Sequence, residues 1–177
     1  MGRRSGSVQG LTDGDEPLEM NPLVHVRSAG PEEAAAVLDM MRRAFAEYRG
    51  VLKPESSVFV ETVEEVAEKL GAGGGYVAMR GLEMVGCVIA EARGERGYLG
   101  RLAVDPALRR QGIAEALIGA AEEHLRLHRL PVVELNVRIA LRSNIALFQS
   151  LGYRETARAA HPGWPEPTYL VMKKSLE

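Results

Sequence analysis

Three apolar runs in quick succession constrain this chain more than any other feature. Tyr76 to Met79, Met84 to Ala92 and Tyr98 to Val104 are separated only by Arg80-Gly81-Leu82-Glu83 and by Arg93 to Gly97. Links that short leave no room for a crossover, so the runs pair as an antiparallel meander. Asp105-Pro106 ends the third strand, because proline cannot donate to a ladder.

Helical patterns flank the meander. Leu23 to Arg27 reads as a short strand, and Pro31 then opens a helix with Glu32 and Glu33 in its first turn. Val37, Leu38, Met41, Ala44, Phe45 and Tyr48 form its apolar face, and Gly50 ends it. Thr62 and Glu65 make a capping box for a second helix carrying Val63, Val66, Ala67 and Leu70, stopped by Gly71 to Gly75. Beyond the meander, Gly112 to about His128 is a long helix with Ile113, Leu117, Ala121 and Leu125 inward. Glu122 and Arg126 are expected as an i,i+4 pair on its surface. Pro131 breaks this helix and Val132 to Val137 forms a strand. Ser143 is the expected cap of a shorter helix with Leu147, Phe148 and Leu151, closed by Gly152. Final strands near Tyr153 to Ala159 and Thr168 to Lys173 flank a loop from His161 to Pro167. The fold class is α/β (α+β): a mixed, mostly antiparallel sheet of six or seven strands with helices on both faces.

At 177 residues the chain holds one ordinary domain, expected over residues 23–177. Residues 1–22 are polar, Gly-rich and aperiodic, which reads as a flexible tail. A formal net charge of −2 argues against nucleic acid as the main partner. No apolar stretch approaches the roughly 20 residues that cross a bilayer, so no membrane partner is expected. Cys87 is the lone cysteine, which excludes a disulfide framework and fits a cytoplasmic location. His124 and His128 lie four apart on one helix but no third ligand is evident, so no metal is expected.

The chemistry concentrates in Leu102-Ala103-Val104-Asp105-Pro106-Ala107-Leu108-Arg109-Arg110-Gln111-Gly112-Ile113-Ala114. An apolar strand leads through a donor-rich turn into a helix whose first turn is small. Helix N-termini present unpaired N–H groups and partial positive charge, and turn amides beside them deepen the concavity. Gly112 permits close approach of a ligand. The segment reads as a phosphate or diphosphate site. Gly-x-x-x-x-Gly-Lys-Ser/Thr is nowhere in the chain, and Gly71 to Gly75 follows a helix rather than a first strand, so nucleoside triphosphates and dinucleotides are disfavoured.

Arg109-Arg110-Gln111-Gly112-Ile113-Ala114 resembles the Arg/Gln-x-x-Gly-x-Gly/Ala loop of the GNAT superfamily of N-acetyltransferases. The preceding Leu-Ala-Val-Asp-Pro is similar to the end of that family's fourth strand. Asn144 to Tyr153 resembles its closing helix and the Leu-Gly-Phe/Tyr after it. The resemblance implies fourth and fifth strands that splay apart and acetyl-CoA as cofactor. It implies the main chain of Leu102, Ala103 and Val104 against the pantetheine, and the amides of Arg109, Arg110, Gln111, Gly112, Ile113 and Ala114 around the diphosphate. Asn144 either contacts the cofactor or supports the helix start, and Phe148 is either a cofactor contact or core. The reaction implied is direct attack of a primary amine on the thioester in a ternary complex. A small amine or a peptide N-terminus is the acceptor, and homodimers are common in the family.

Two departures leave the mechanism open. The family's usual carboxylate before Leu-Ala-Val and its tyrosine near the leaving sulfur are here Arg101 and Phe148. The titratable candidates elsewhere are Glu91, His161 and Tyr169. A water chain with proximity, or acyl-CoA binding without turnover as a regulatory module, are the alternatives. Arg101 reads either as a partner for an acceptor carboxylate or as a surface ion pair. The loop with Trp164 reads as pocket wall, lid or dimer contact.

Overall fold

The computed structural model describes residues 23–177, and the expected tail lies outside them. Among the described residues a seven-stranded sheet runs in the order β1-β2-β3-β4-β5-β7-β6. The strands are β1 (Val24–Ser28), β2 (Gly75–Arg80), β3 (Glu83–Arg93), β4 (Arg96–Val104), β5 (Val132–Arg138), β6 (Arg154–Ala159) and β7 (Tyr169–Ser175). Every neighbouring pair is antiparallel except β4 and β5. The four helices are α1 (Ala34–Phe45), α2 (Val63–Gly71), α3 (Ile113–Leu127) and α4 (Arg142–Ser150). None of them is long and apolar enough to cross a membrane.

The meander forms as its short links require. Both hairpins are tighter than the sequence suggests, with Arg80 facing Glu83 and Arg93 facing Arg96. Alternation then sorts the side chains into two cores. Val77, Met79, Cys87, Ile89 and Ala103 pack under α1 and α2, whereas Ala78, Val88, Ala90 and Leu99 face α3 and α4. Burial on both faces is why these strands read as nearly continuous apolar runs.

The helix ends follow local chemistry with three differences. The capping box is present, Thr62 Oγ1 accepting from Glu65 N–H at 3.2 Å and the Glu65 carboxylate from Thr62 N–H at 2.8 Å. The first helix, however, stops at Phe45 and tightens into a 3-10 turn over Ala46–Tyr48 before Gly50. Ser143 does not cap α4: the helix starts at Arg142, two residues earlier than that cap implies, with Leu141 at the cap and no side-chain hydrogen bond there. The N–H groups of Asn144 and Ile145 donate to the Leu141 carbonyl. Glu122 is buried rather than on the surface. Its carboxylate accepts from Tyr153 Oη at 2.8 Å and from Lys174 Nζ at 3.0 Å, with Arg126 at 3.6 Å. Helical spacing places Glu122 on α3, but β7 and Tyr153 arrive from far along the chain to cover it.

The β4–β5 contact positions the site. Only Gly97↔Val133 and Tyr98↔Glu134 pair before the strands part, so β4 from Leu99 onward has no strand partner on its β5 side.

Candidate active site

The opening between β4 and β5 has two connected lobes, which share Phe45, Leu102 and Asn144 as walls. One, about 370 Å³, lies at the N-terminus of α3 and is lined by Leu102 to Val104, Leu108 to Arg110 and Gly112 to Glu115. The other, about 390 Å³, lies between β4, β5, residues 52–58 and the loop joining β6 to β7.

The first lobe is built from turn geometry. Asp105 Oδ1 accepts from Ala107 N–H at 2.9 Å and fixes a 3-10 turn over Pro106–Leu108. The chain is extended at Arg109, left-handed at Arg110 (φ 61°) and left-handed again at Gly112 (φ 81°). Such alternation gathers successive N–H groups into a concave nest. Among the described residues no backbone carbonyl accepts from the N–H groups of Arg109 to Gly112, and the first amides of α3 have no intrahelical partner. A Cβ on Gly112 would meet no protein atom within 4 Å and would project into open space beside those donors. Arg109 is spent differently, since its guanidinium pairs with Glu47 and reaches the Ala44 carbonyl at 3.4 Å. The side chain is therefore a strut from the turn to the end of α1, and the turn's contribution to the lobe includes its main-chain donors. Gln111 is exposed and outside the lining. Unclaimed amides beside the open β4 edge at Leu102 to Val104 fit a ligand with a diphosphate and an amide-bearing arm.

The second lobe collects most of the titratable candidates. His161 and Tyr169 sit together on its wall, rings 5.1 Å apart and edge-on. Thr168 Oγ1 accepts from His161 N–H at 3.0 Å and also bonds His161 Nδ1, which fixes the ring. Burial, and then the charge of Arg138, pull the His161 pKa below its ordinary value, so the ring is neutral at pH 7. Arg138 faces Tyr169 in the β5–β7 register, and Asn136 lies two residues back on the same face. Glu91 is not brought here. It pairs with Arg93 at 2.8 Å and lines a neighbouring groove with Lys69 and Arg101. Phe148 lines the second lobe but not the first, and packs edge-on against Tyr153 at 5.6 Å. Trp164 is 39% exposed and lies outside both linings.

Arg101 is neither free for a ligand nor on an ordinary surface. Ile89 pairs with Gly100 and Cys87 with Ala103, so β4 carries an extra residue here, and Arg101 takes φ 56°. The Cys87 thiol, pushed up to about 12 by burial and hence protonated, donates to the Arg101 carbonyl at 3.4 Å. The guanidinium donates to Glu61 at 2.7 and 3.3 Å, and Lys69 pairs with the same carboxylate. Burial pushes the Glu61 carboxyl up, and hydrogen bonds from Arg101 and Lys69 more than reverse this, leaving it below its usual range. Sequence reading missed Glu61, which there is only an acid ahead of a helix cap. Gly100 within a strand was a weak signal of the bulge.

The model of the GNAT acetyltransferase family matches residues 38–153, about two thirds of the chain. The chain belongs to the GNAT acetyltransferase family. Acetyl-CoA is the cofactor of that family. Solved structures share the fold at low identity. PaiA N-acetyltransferase from Thermoplasma acidophilum, in complex with coenzyme A, superposes with TM-score 0.75 at 14% identity over 86% of this chain and 99% of that one. The ribosomal-protein-S18-alanine N-acetyltransferase from Escherichia coli gives 0.69 at 21% over 87% and 94%, and Ard1 from Thermoplasma volcanium 0.71 at 18% over 86% and 97%. No curated protein matches the sequence. The seven-stranded sheet with its parting β4 and β5 is the GNAT arrangement that the resemblance implied.

Proposed function

We propose that this GNAT protein is an N-acetyltransferase that moves acetyl from acetyl-CoA to a primary amine, with His161 as the base. One observation carries the reading: an imidazole, fixed by Thr168, lines the lobe continuous with the nest at Gly112. Bound acetyl-CoA supplies an activated acyl thioester. The amides of Arg109 to Ala114 hold the diphosphate, and the open edge of β4 at Leu102 to Val104 receives the arm that carries the thioester. Each such hydrogen bond contributes roughly 0.5–1.5 kcal/mol net, so several acting together give useful affinity. Asn144, on the wall of both lobes, orients the cofactor at their junction.

An attacking amine must lose its proton, and a positioned base supplies about 10²–10⁴-fold in rate. In the tautomer in which Nδ1–H donates to Thr168 Oγ1, Nε2 of the neutral ring is the acceptor left for that proton. Tyr169, whose ring packs edge-on against His161, is a phenol on the same wall suited to returning a proton to the leaving thiolate. Glu91, in the neighbouring groove beside Arg93, drops out as the base. Proximity adds to the effect, because the walls between β4 and β5 hold amine and thioester together.

Binding and turnover test the two halves separately. Calorimetry with acetyl-CoA and CoA, against ATP and NAD, is expected to show binding of the first two alone. A panel of amines is then expected to yield N-acetyl products. Binding without turnover on any amine would favour the second reading, a non-catalytic acyl-CoA-binding module. That reading draws on Phe148 and the neutralised Arg101 standing where the family's usual acid–base pair is expected.

A further inference from the structure

Arg138 ends β5 on the face that lines the second lobe, which the placement of His161 makes the acceptor lobe. Its Nη2 donates to the carbonyls of Pro54 at 2.8 Å and Glu55 at 3.2 Å, which ties the 52–58 segment across the lobe and orients the guanidinium. Among the described residues, Nε and Nη1 have no partner, and no carboxylate forms an ion pair with this side chain. Of the two arginines lining the lobe, Arg101 is paired with a carboxylate, Glu61, and Arg138 is not. Burial alone acts on the Arg138 pKa and lowers it, with no anion opposing. The lobe thus contains a half-buried cation, held by neutral carbonyls, beside the proposed base.

We propose that Arg138 binds a carboxylate of the acceptor, which makes the acceptor a small amino acid-like molecule rather than a peptide N-terminus. This rests on the reading of His161 and the acceptor lobe given above. With Nη2 held by the two carbonyls, the free Nε–H and Nη1–H lie on different edges of the guanidinium, and either gives a carboxylate a charge-assisted hydrogen bond from a fixed direction. Its place on a strand end, tied from the far side by two carbonyls, sets the carboxylate at one point on the wall. The amine of the same molecule then faces His161. A peptide N-terminus has an amide where that carboxylate stands and leaves the guanidinium unpaired, as do simple alkylamines.

The test uses matched pairs: the common α-amino acids, β-alanine and γ-aminobutyrate, each beside its carboxamide, and short peptides of the same first residue. For the residues that the wild type acetylates, kcat/KM is expected to favour the free acid by at least about tenfold over amide and peptide. In Arg138→Met the ratio falls to about unity through KM, and Arg138→Lys, which keeps charge without the planar fork, falls between. Equal use of acid and amide by the wild type, a preference for peptides, or an equal loss on both in Arg138→Met overturns the proposal. Coenzyme A affinity and Tm of each variant report its folding, and if Arg138→Met does not fold, Arg138→Lys and the wild-type pairs decide. Should no amine be acetylated, binding decides: N-acetylated amino acids and their amides are added with CoA and the Tm read. Acid-selective stabilisation lost in the variants keeps the carboxylate site and removes the catalytic reading. No difference between acids and amides removes the site.

Discussion

At the residue scale the chemistry turns on which groups are held and which are free. His161 is held through Nδ1 by Thr168, and its pKa is lowered by burial and by Arg138. A base with a lowered pKa is deprotonated at pH 7 and loses activity only as pH falls through that value. The acid limb of kcat/KM is therefore expected below the ordinary histidine pKa of about 6.5, and removing the positive charge in Arg138→Met moves the limb upward. His161→Gln is expected to cost about 10²–10⁴-fold in kcat with unchanged acetyl-CoA affinity. An unaltered rate, or a limb above pH 6.5 in the wild type, would assign the proton to another group. Gly112 carries the opposite lesson, because nothing in the protein crowds it and only its φ of 81° and the donors beside it matter. Gly112→Glu puts an anion where the diphosphate is proposed. Calorimetry is expected to show at least about a hundredfold loss of CoA affinity with the circular dichroism of the folded chain retained. Retained affinity would move the diphosphate elsewhere.

At the element scale the bulge in β4 is an irregular part of the sheet that side chains buttress. Arg101 sits in the left-handed region, a conformation that is costly for a residue with a Cβ. Its carbonyl takes the Cys87 thiol and its side chain takes Glu61, which Lys69 of α2 also grips. Glu61→Ala leaves two cations facing a vacated, largely buried site. A fully buried pair so broken costs about 3–5 kcal/mol. Here Arg101 and Lys69 keep 27% and 28% of their side-chain surface in solvent, so roughly 2–3 kcal/mol is expected in denaturant melts. The folded pKa of Glu61 is lowered, so its contribution is present above the ordinary carboxyl range near 4.5 and lost as pH falls through the folded value. Glu61→Gln is then expected to flatten the acid limb of stability below about pH 4.5, and a parallel curve for wild type and variant would count against the pair. Beforehand, Gly100 hinted at the bulge and an ion pair was one reading of Arg101, but its partner Glu61 was not legible. Thr62 and Glu65 could be read as a cap because the motif is complete within four residues. Glu61 has its meaning only once α2 lies against a strand 40 residues onward.

At the scale of the whole molecule, the same divide between local and distant information runs through the fold. The meander, the helices and the turn at Arg109 to Gly112 were legible because short links, helical periodicity and donor-rich turns are local facts. Tyr169 and His161 could be named as titratable but not paired with Arg138, since that grouping needs the β5–β7 register and the loop above it. Glu122 is the clearest failure: an i,i+4 partner marked it as a surface residue, whereas three-dimensional packing buries it against Tyr153 and Lys174. This node joins α3 to the C-terminal half of the sheet, on the far side of the gap from the meander. It therefore resists the separation that the short β4–β5 ladder permits. Tyr153→Phe tests that role cleanly, because the ring keeps its edge contact with Phe148 while the hydroxyl donated to Glu122 is lost. A hydrogen bond to a charged, buried carboxylate contributes about 1.5–3 kcal/mol. Lys174 still satisfies Glu122, so about 1–2 kcal/mol is expected, or a fall in Tm of about 2–8 °C for a domain of this size. Because the node lies outside the linings of both lobes, the rise in Tm on adding a given excess of CoA should match that of wild type. A lower Tm with a smaller CoA shift would mean that the node also sets the width of the opening.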